Sequence, residues 1–179
     1  MKVVIPLAGF GTRLRPHTYT KPKPLVYVAG KPVLGHILDK LLDLEVEEII
    51  FIVGYLGEQI QNYVEMHYEF NARYVEQKEM LGQAHAIFLA REFLPGRGLI
   101  IFVDTIFETD LSHLEEVDGD AVIYVKEVED PRRFGVAVVE NGRITRLIEK
   151  PTSMEHNLAV VGLYYIQHMP WLMEAIGQL

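Results

Sequence analysis

Gly9-Phe10-Gly11-Thr12-Arg13-Leu14-Arg15-Pro16 follows directly on the apolar run Lys2 to Leu7. Glycine lets a backbone approach an anion closely and adopt dihedrals that a Cβ disfavours. Successive backbone N–H groups in such a loop can form a concave nest for an anion. Thr12 adds a hydroxyl donor, and Arg13 adds a planar fork that matches phosphate oxygens. The loop is not a Walker loop, because it lacks Gly-Lys-Ser/Thr. It is not the Gly-x-Gly-x-x-Gly dinucleotide fingerprint either, since position 14 is Leu. Taken alone, a Gly-x-Gly segment reads more readily as an ordinary turn with a surface arginine. Just downstream lies Lys21-Pro22-Lys23-Pro24-Leu25. Its prolines disfavour helix and hold Lys23 as a positioned point charge. Alone, Lys23 reads as a solvated loop lysine. The two segments together point to a site for a triphosphate.

The elements that must position these residues follow from hydrophobic periodicity. Lys2 to Leu7, Glu48 to Val53 and Leu99 to Val103 are continuous apolar runs of the kind that form buried parallel strands. Arg73 to Glu76 is a shorter strand. Helical spacing covers Val33 to Leu44, Glu58 to Tyr68 and Ala84 to Phe93. This alternation predicts a mainly parallel sheet with helices on both faces. Asp104 then falls at the C-terminal end of a strand, the edge where ligands gather in open α/β sheets. An Asp there serves equally well as a turn or cap residue, although Asp110 is the better cap candidate. From about Gly119 the rhythm changes to Ala121–Val125, Gly135–Val139, Arg143–Ile148 and Ala159–Ile166. Asn141-Gly142 marks a hairpin between two of these runs. An antiparallel or mixed extension is predicted, with a terminal helix from Trp171.

Composition narrows the function. With 179 residues, 49% of them hydrophobic, the chain is expected to form one globular domain with a sizeable core. Its net charge of −8 and lack of a basic tract argue against a nucleic-acid surface. There is no Cys, hence no disulfide, thiolate metal site or cysteine nucleophile. No signal peptide or membrane span is apparent, so a cytoplasmic location is expected. The seven His show no close metal-binding spacing and read as surface or core residues.

Pro6-Leu7-Ala8-Gly9-Phe10-Gly11-Thr12-Arg13-Leu14-Arg15-Pro16, followed by Pro22-Lys23-Pro24-Leu25 and Gly30-Lys31-Pro32, resembles the signature of sugar nucleotidyltransferases. The likeness is greatest to glucose-1-phosphate thymidylyltransferases and their uridylyl relatives. It continues through Glu149-Lys150-Pro151 and Val161-Gly162-Leu163-Tyr164-Tyr165. The resemblance implies a Rossmann-like three-layer αβα fold with a mainly parallel mixed sheet and a small antiparallel extension. It implies transfer of a nucleotidyl group from dTTP or UTP to a sugar 1-phosphate, with Mg²⁺ as cofactor and pyrophosphate as leaving group. Leu7, Ala8, Gly9, Gly11 and Thr12 would wrap the triphosphate. Arg13 and Lys23 would neutralise charge during transfer, with Arg15 in a secondary role.

The same resemblance assigns base recognition to Gln77 and Gly82 and the metal to Asp104. It assigns the sugar phosphate to Gly135, Glu149, Lys150 and Val160, with Phe134 packing nearby. Without it, Gln77 reads as a surface polar residue, and Glu149-Lys150 as an exposed charge pair. Two departures stand out. Val103 replaces a family Gly before Asp104, and no Trp-x-Asp-x-Gly-Thr-like stretch with a second acidic ligand is present. The chain is therefore expected to lack the C-terminal part of the family core. Surface left open by that lack would favour a homo-oligomer. A non-catalytic nucleotide- or sugar-nucleotide-binding module is the alternative reading.

Overall fold

The computed structural model describes residues Met1 to Leu179, the side chain of Glu115 excepted. The chain opens with β1 (Lys2–Pro6), a small hairpin of β2 (Tyr27–Val28) and β3 (Lys31–Pro32), and α1 (Val33–Asp39). It continues through β4 (Glu48–Val53), α2 (Gly57–His67), β5 (Ala72–Glu76), α3 (Gln83–Phe88) and β6 (Gly98–Ile101). The second half holds β7 (Ala121–Glu127), β8 (Gly135–Glu140), β9 (Arg143–Glu149), β10 (Leu158–Ile166) and α4 (Met169–Ile176). The main sheet runs β5-β4-β1-β6-β10-β8-β9, and β7 also pairs with β10. β5, β4, β1 and β6 are mutually parallel, whereas β10 joins β6 antiparallel.

Apolar residues alternate across the central strands into two separate cores, because both faces of the sheet are covered. Val3, Ile5, Ile49 and Phe51 pack with Leu34 and Ile37 of α1 and Ile60 and Val64 of α2. Val4, Ile50 and Ile52 pack with Ala86 and Ile87 of α3 and Met169 and Met173 of α4. The result is the three-layer mixed fold that the sequence implies. Each such Ile or Leu withdrawn from water contributes about 1.5–3 kcal/mol before chain entropy is subtracted.

The boundaries depart from periodicity in instructive places. α1 ends at Asp39 rather than Leu44, and the segment beyond tightens into turns such as Leu41 N–H to Leu38 O, 3.0 Å. Asp39 is held there by Lys31 and by the Tyr68 hydroxyl, 2.9 Å away. The tighter winding keeps Leu41 in the core and leaves Leu42 exposed. α3 ends at Phe88, and a 3-10 turn at Arg91–Phe93 completes the stretch expected to be one helix. The ladder of β6 stops at Ile101, so Val103 and Asp104 lie in a turn rather than on the strand. Asn141 and Gly142 have φ of 51° and 76° and close the β8–β9 hairpin as their sequence demands. The β2–β3 hairpin was not foreseen; it turns through Ala29 and Gly30, also at positive φ.

At the N-terminal edge of the parallel strands, Glu48 is only 4% exposed. Lys2 donates to it at 2.9 Å, and Arg73 at 2.8 Å. Burial pushes the Glu48 carboxyl upward, but these two hydrogen bonds and cations outweigh it and hold it below its ordinary value. A depressed carboxylate contributes full stability above its unfolded pKa, about 4.3. The contribution is lost as pH falls through the lower folded value. Glu48→Gln should therefore cost about 1–3 kcal/mol at pH 7. It should also flatten the acid limb of the stability curve, as urea denaturation at pH 7 and below pH 4 would measure.

Candidate active site

The C-terminal ends of β1, β4, β5 and β6 share one edge, and the candidate residues leave the sheet there. Leu7 donates its N–H to Ile52 O at 2.7 Å, carrying the β1 pairing one residue past the strand. Gln77 donates its N–H to Val53 O at 2.8 Å on the other side of β4. Gly54 makes the close approach feasible: a Cβ there would lie 2.9 Å from Ala8 O.

The Gly-rich loop then turns at Gly11, which is left-handed with φ 61° and ψ 32°. Its carbonyl accepts from the hydroxyl of Thr18 at 2.8 Å, and Thr18 is 2% exposed. A one-turn 3-10 helix spans Thr12–Leu14, and another spans Lys23–Leu25. Pro24 suits the second, since it fixes φ where no N–H is needed early in a helical turn. Pro24 and Leu25 are buried, so this turn is pinned while Lys23 remains half-buried. The two segments touch: a Cβ at Gly11 would lie 3.0 Å from Lys23 Cβ. α2 and the loop before it brace the connection, through Gln59 Nε2 to Thr20 O at 3.0 Å and Tyr55 OH to Tyr19 O at 2.9 Å.

These elements enclose a cleft of about 600 Å³. Leu7, Ala8, Gly9, Gly11, Thr12, Arg13, Lys23, Gln77, Gly82 and Asp104 all line it. Arg13 and Lys23 thus share one cleft, and among the described residues neither side chain has an ion-pair or hydrogen-bond partner. Asp104 is the one carboxylate among the lining residues. Val103 is 6% exposed and belongs to the α1–α2 side of the core, so its side chain is largely taken up by packing.

Gln77 is 4% exposed and so is a buried residue rather than a surface one. Its Nε2 lies 3.1 Å from Gly82 O and 2.9 Å from His85 Nδ1.

Gly135, Glu149, Lys150 and Val160 form a second group on β8–β10 and do not line this cleft. Gly135 pairs with Glu149, and a Cβ on Gly135 would lie 3.1 Å from Glu149 Oε2. Lys150 takes a left-handed φ of 46° and donates its N–H to Phe134 O at 3.0 Å. That reversal brings the Glu149 and Lys150 side chains together at 3.3 Å, although strand neighbours ordinarily point apart. Val160 borders a bulge in β10. Tyr164 lies just past the bulge; burial, then the carboxylates of Asp104 and Glu149, push its phenol upward.

Periodicity and motif reading missed Thr18, Gly54 and His85. Thr18 and His85 carry no spacing signal, and their value lies in contacts made across loops. Met80, Gln83 and Phe102 also line the cleft and were not singled out.

The sequence matches the nucleotidyl transferase family over residues 2–172. The chain belongs to that family, among its sugar nucleotidyltransferases. This nucleotidyltransferase chain is 39% identical over 165 residues to the bifunctional protein GlmU of Methanocaldococcus jannaschii. That match covers 92% of this chain and 39% of GlmU. It is 38% identical over 172 residues to the UTP–glucose-1-phosphate uridylyltransferase AglF of Haloferax volcanii, covering 92% of this chain and 71% of AglF. A Bacillus anthracis protein assigned as a glucose-1-phosphate thymidylyltransferase, solved with sucrose, matches with a TM-score of 0.88 and 28% identity. That superposition covers 100% of this chain and 78% of the other.

Gly11→Ala tests the loop geometry. A Cβ at this left-handed position costs about 1–2 kcal/mol. It also presses on Lys23 and on Thr18 Cγ2, each 3.0 Å away. The expected outcome is a fall of that size in urea stability, with weaker binding of a nucleoside triphosphate in a calorimetric titration.

Proposed function

We propose that this chain binds dTTP or UTP in the 600 Å³ cleft and transfers its nucleotidyl group to a sugar 1-phosphate, glucose 1-phosphate foremost. The observation that carries the reading is the convergence of the unpaired Arg13 and Lys23 on a cleft walled by the Gly-rich loop. AglF is named for UTP and glucose 1-phosphate, and the Bacillus anthracis protein for thymidylyl transfer to the same sugar phosphate. Those names support the choice of substrates.

The transfer needs no enzyme nucleophile, because positioning and charge stabilisation supply most of the acceleration in this class of chemistry. An oxygen of the sugar 1-phosphate attacks the α-phosphorus. The bond from that phosphorus to the α–β bridging oxygen breaks, and the oxygen departs on pyrophosphate. Backbone N–H groups of residues 8–12 would hold the triphosphate. The Arg13 fork and the Lys23 ammonium would offset charge gathering on the transferred group and the leaving pyrophosphate. Gln77 and Gly82 would receive the base. Glu149 would accept hydrogen bonds from sugar hydroxyls, Lys150 would hold the sugar's phosphate, and Gly135 and Val160 would border the sugar.

Asp104 suits Mg²⁺ in one specific way. No cluster of three or more His, Cys, Asp or Glu side chains exists among the described residues that could hold a metal ion. One hard carboxylate fits an ion bound largely through substrate phosphates and water. Mg²⁺ bound there would neutralise phosphate charge, and Asp104 would set its place in the cleft.

The single carboxylate also favours a second reading, a module that binds nucleotide or sugar nucleotide without turnover. Coupled pyrophosphate release with dTTP or UTP plus glucose 1-phosphate separates the two, since binding without release supports the module. Lys23→Ala is expected to lower the rate about 10²–10³-fold. Asp104→Asn is expected to raise the Mg²⁺ concentration for half-maximal rate. An unaltered rate in the first variant, or an unaltered metal titration in the second, would remove that residue from the site.

A further inference from the structure

We propose that Thr18 is a positioning residue that anchors the Gly-rich loop from behind, so that the Thr12 N–H and the Arg13 side chain face the cleft. The proposal rests on the reading of that loop as the cradle of the triphosphate.

One buried hydroxyl stands in an exposed stretch. Residues 12–17 and 19–21 are all exposed, whereas Thr18 is 2% exposed. Its hydroxyl lies 2.8 Å from Gly11 O, and a carbonyl only accepts, so Thr18 donates. Among the described residues this is the one hydrogen bond that joins residues 9–15 to the rest of the chain. The loop's other hydrogen bonds are internal, from Leu14 N–H to Gly11 O at 2.9 Å and from Arg15 N–H to Thr12 O at 3.3 Å. Those two close the turn on itself, and a swing of the whole turn would preserve them. The Thr18 bond would break in such a swing. Other outside contacts are looser, such as the Phe10 and Tyr55 rings with centroids 6.0 Å apart.

The same bond sets the sense of the backbone. Gly11 and Thr12 line the cleft and Thr18 does not, so the Gly11 carbonyl points behind the loop. The Gly11–Thr12 peptide is trans, and its C=O and N–H therefore point in opposite directions. Holding the carbonyl behind the loop aims the Thr12 N–H into the cleft, and nothing among the described residues accepts from it. Sterics alone would not enforce this, because a residue without a Cβ tolerates either orientation of the peptide that follows. Glycine still suits the position, since a Cβ would lie 3.0 Å from Thr18 Cγ2 and from Lys23 Cβ. A reversed peptide would turn an oxygen toward a phosphate and repel it. The segment that carries Thr18 is itself braced, by Tyr55 OH to Tyr19 O at 2.9 Å and by Gln59 Nε2 to Thr20 O at 3.0 Å. The anchor thus reaches the loop from a fixed neighbour.

Thr18→Val keeps the shape of the side chain and removes the donor, while Leu14 N–H still serves the Gly11 carbonyl. Thr18→Ser keeps the donor. Calorimetry on the full chain, with Mg²⁺ present, would measure the dissociation constant for UTP in the wild type and both variants. Thr18→Val is expected to weaken UTP about fivefold to tenfold, and Thr18→Ser to stay within about twofold of the wild type. Affinity unchanged in Thr18→Val, or lost equally in Thr18→Ser, overturns the role of the hydroxyl. Absence of UTP binding by the wild type instead overturns the triphosphate reading beneath it. NMR of the ligand-free chain decides the anchor independently of any nucleotide. Thr18→Val should move the Gly11 carbonyl carbon and Thr12 amide nitrogen resonances, with the changes confined to the Gly-rich loop and the segment through Lys23. Thr18→Ser should leave them in place. Resonances unmoved in Thr18→Val overturn the proposal. Changes spread through β1 and β4 mark a general structural role and overturn it as well.

Discussion

Everything at the cleft depends on β1 being clamped in parallel between β4 and β6. Its residues pair in register with Glu48–Ile52 on one side and Gly98–Ile100 on the other. Val3, Val4 and Ile5 are fully buried, so a one-residue slip would turn each side chain into the opposite core, against packing that fits a different residue. The end of β1 is therefore fixed in space, and the Gly-rich loop starts from a rigid point. The same parallel arrangement sends Gln77 and Asp104, at the ends of β5 and beyond β6, to the same edge. Residues far apart in the sequence thus converge on one cleft.

Charge is arranged in opposite ways at the two edges of the parallel strands. At the N-terminal edge, Lys2, Glu48 and Arg73 satisfy one another, and the guanidinium of Arg73 also lies 4.3 Å from the centroid of Phe93. That cluster is closed and reads as structural. At the C-terminal edge, Arg13 and Lys23 are left unpaired in a chain of net charge −8. Unpaired cations beside a loop rich in backbone donors create a local positive potential that the overall charge conceals. Such an edge is suited to one polyphosphate and unsuited to an extended anionic polymer, which needs clustered basic residues over a larger surface.

Much of this was legible beforehand because the signals are local. The continuous apolar runs read as buried strands; β1 and β4 lie within them, and β6 overlaps the third but starts one residue earlier, at Gly98. Asn141-Gly142 specifies a hairpin through dihedrals that few other pairs tolerate. Helix ends were less legible, since periodicity continues through Leu41 and Leu42 while tertiary contacts of Asp39 stop α1 earlier. The burial of Gln77 was invisible for a related reason. A single polar residue after a short strand has no periodicity of its own, and its partners Gly82 and His85 are reached only when the chain folds back into α3.

Residue order alone determined the alternation of strands and helices, the Gly-rich turn at the end of the first strand, and membership of the nucleotidyl transferase family. Those properties follow from side-chain type and short-range sterics, which are read within a few residues. Only the tertiary structure decided that Arg13 and Lys23 share one cleft without partners, and that Lys150 bends back upon Glu149. It also decided that the Gln77 amide is held by Gly82 and His85. Each of these depends on distances between segments, and those distances are set by sheet register and loop closure.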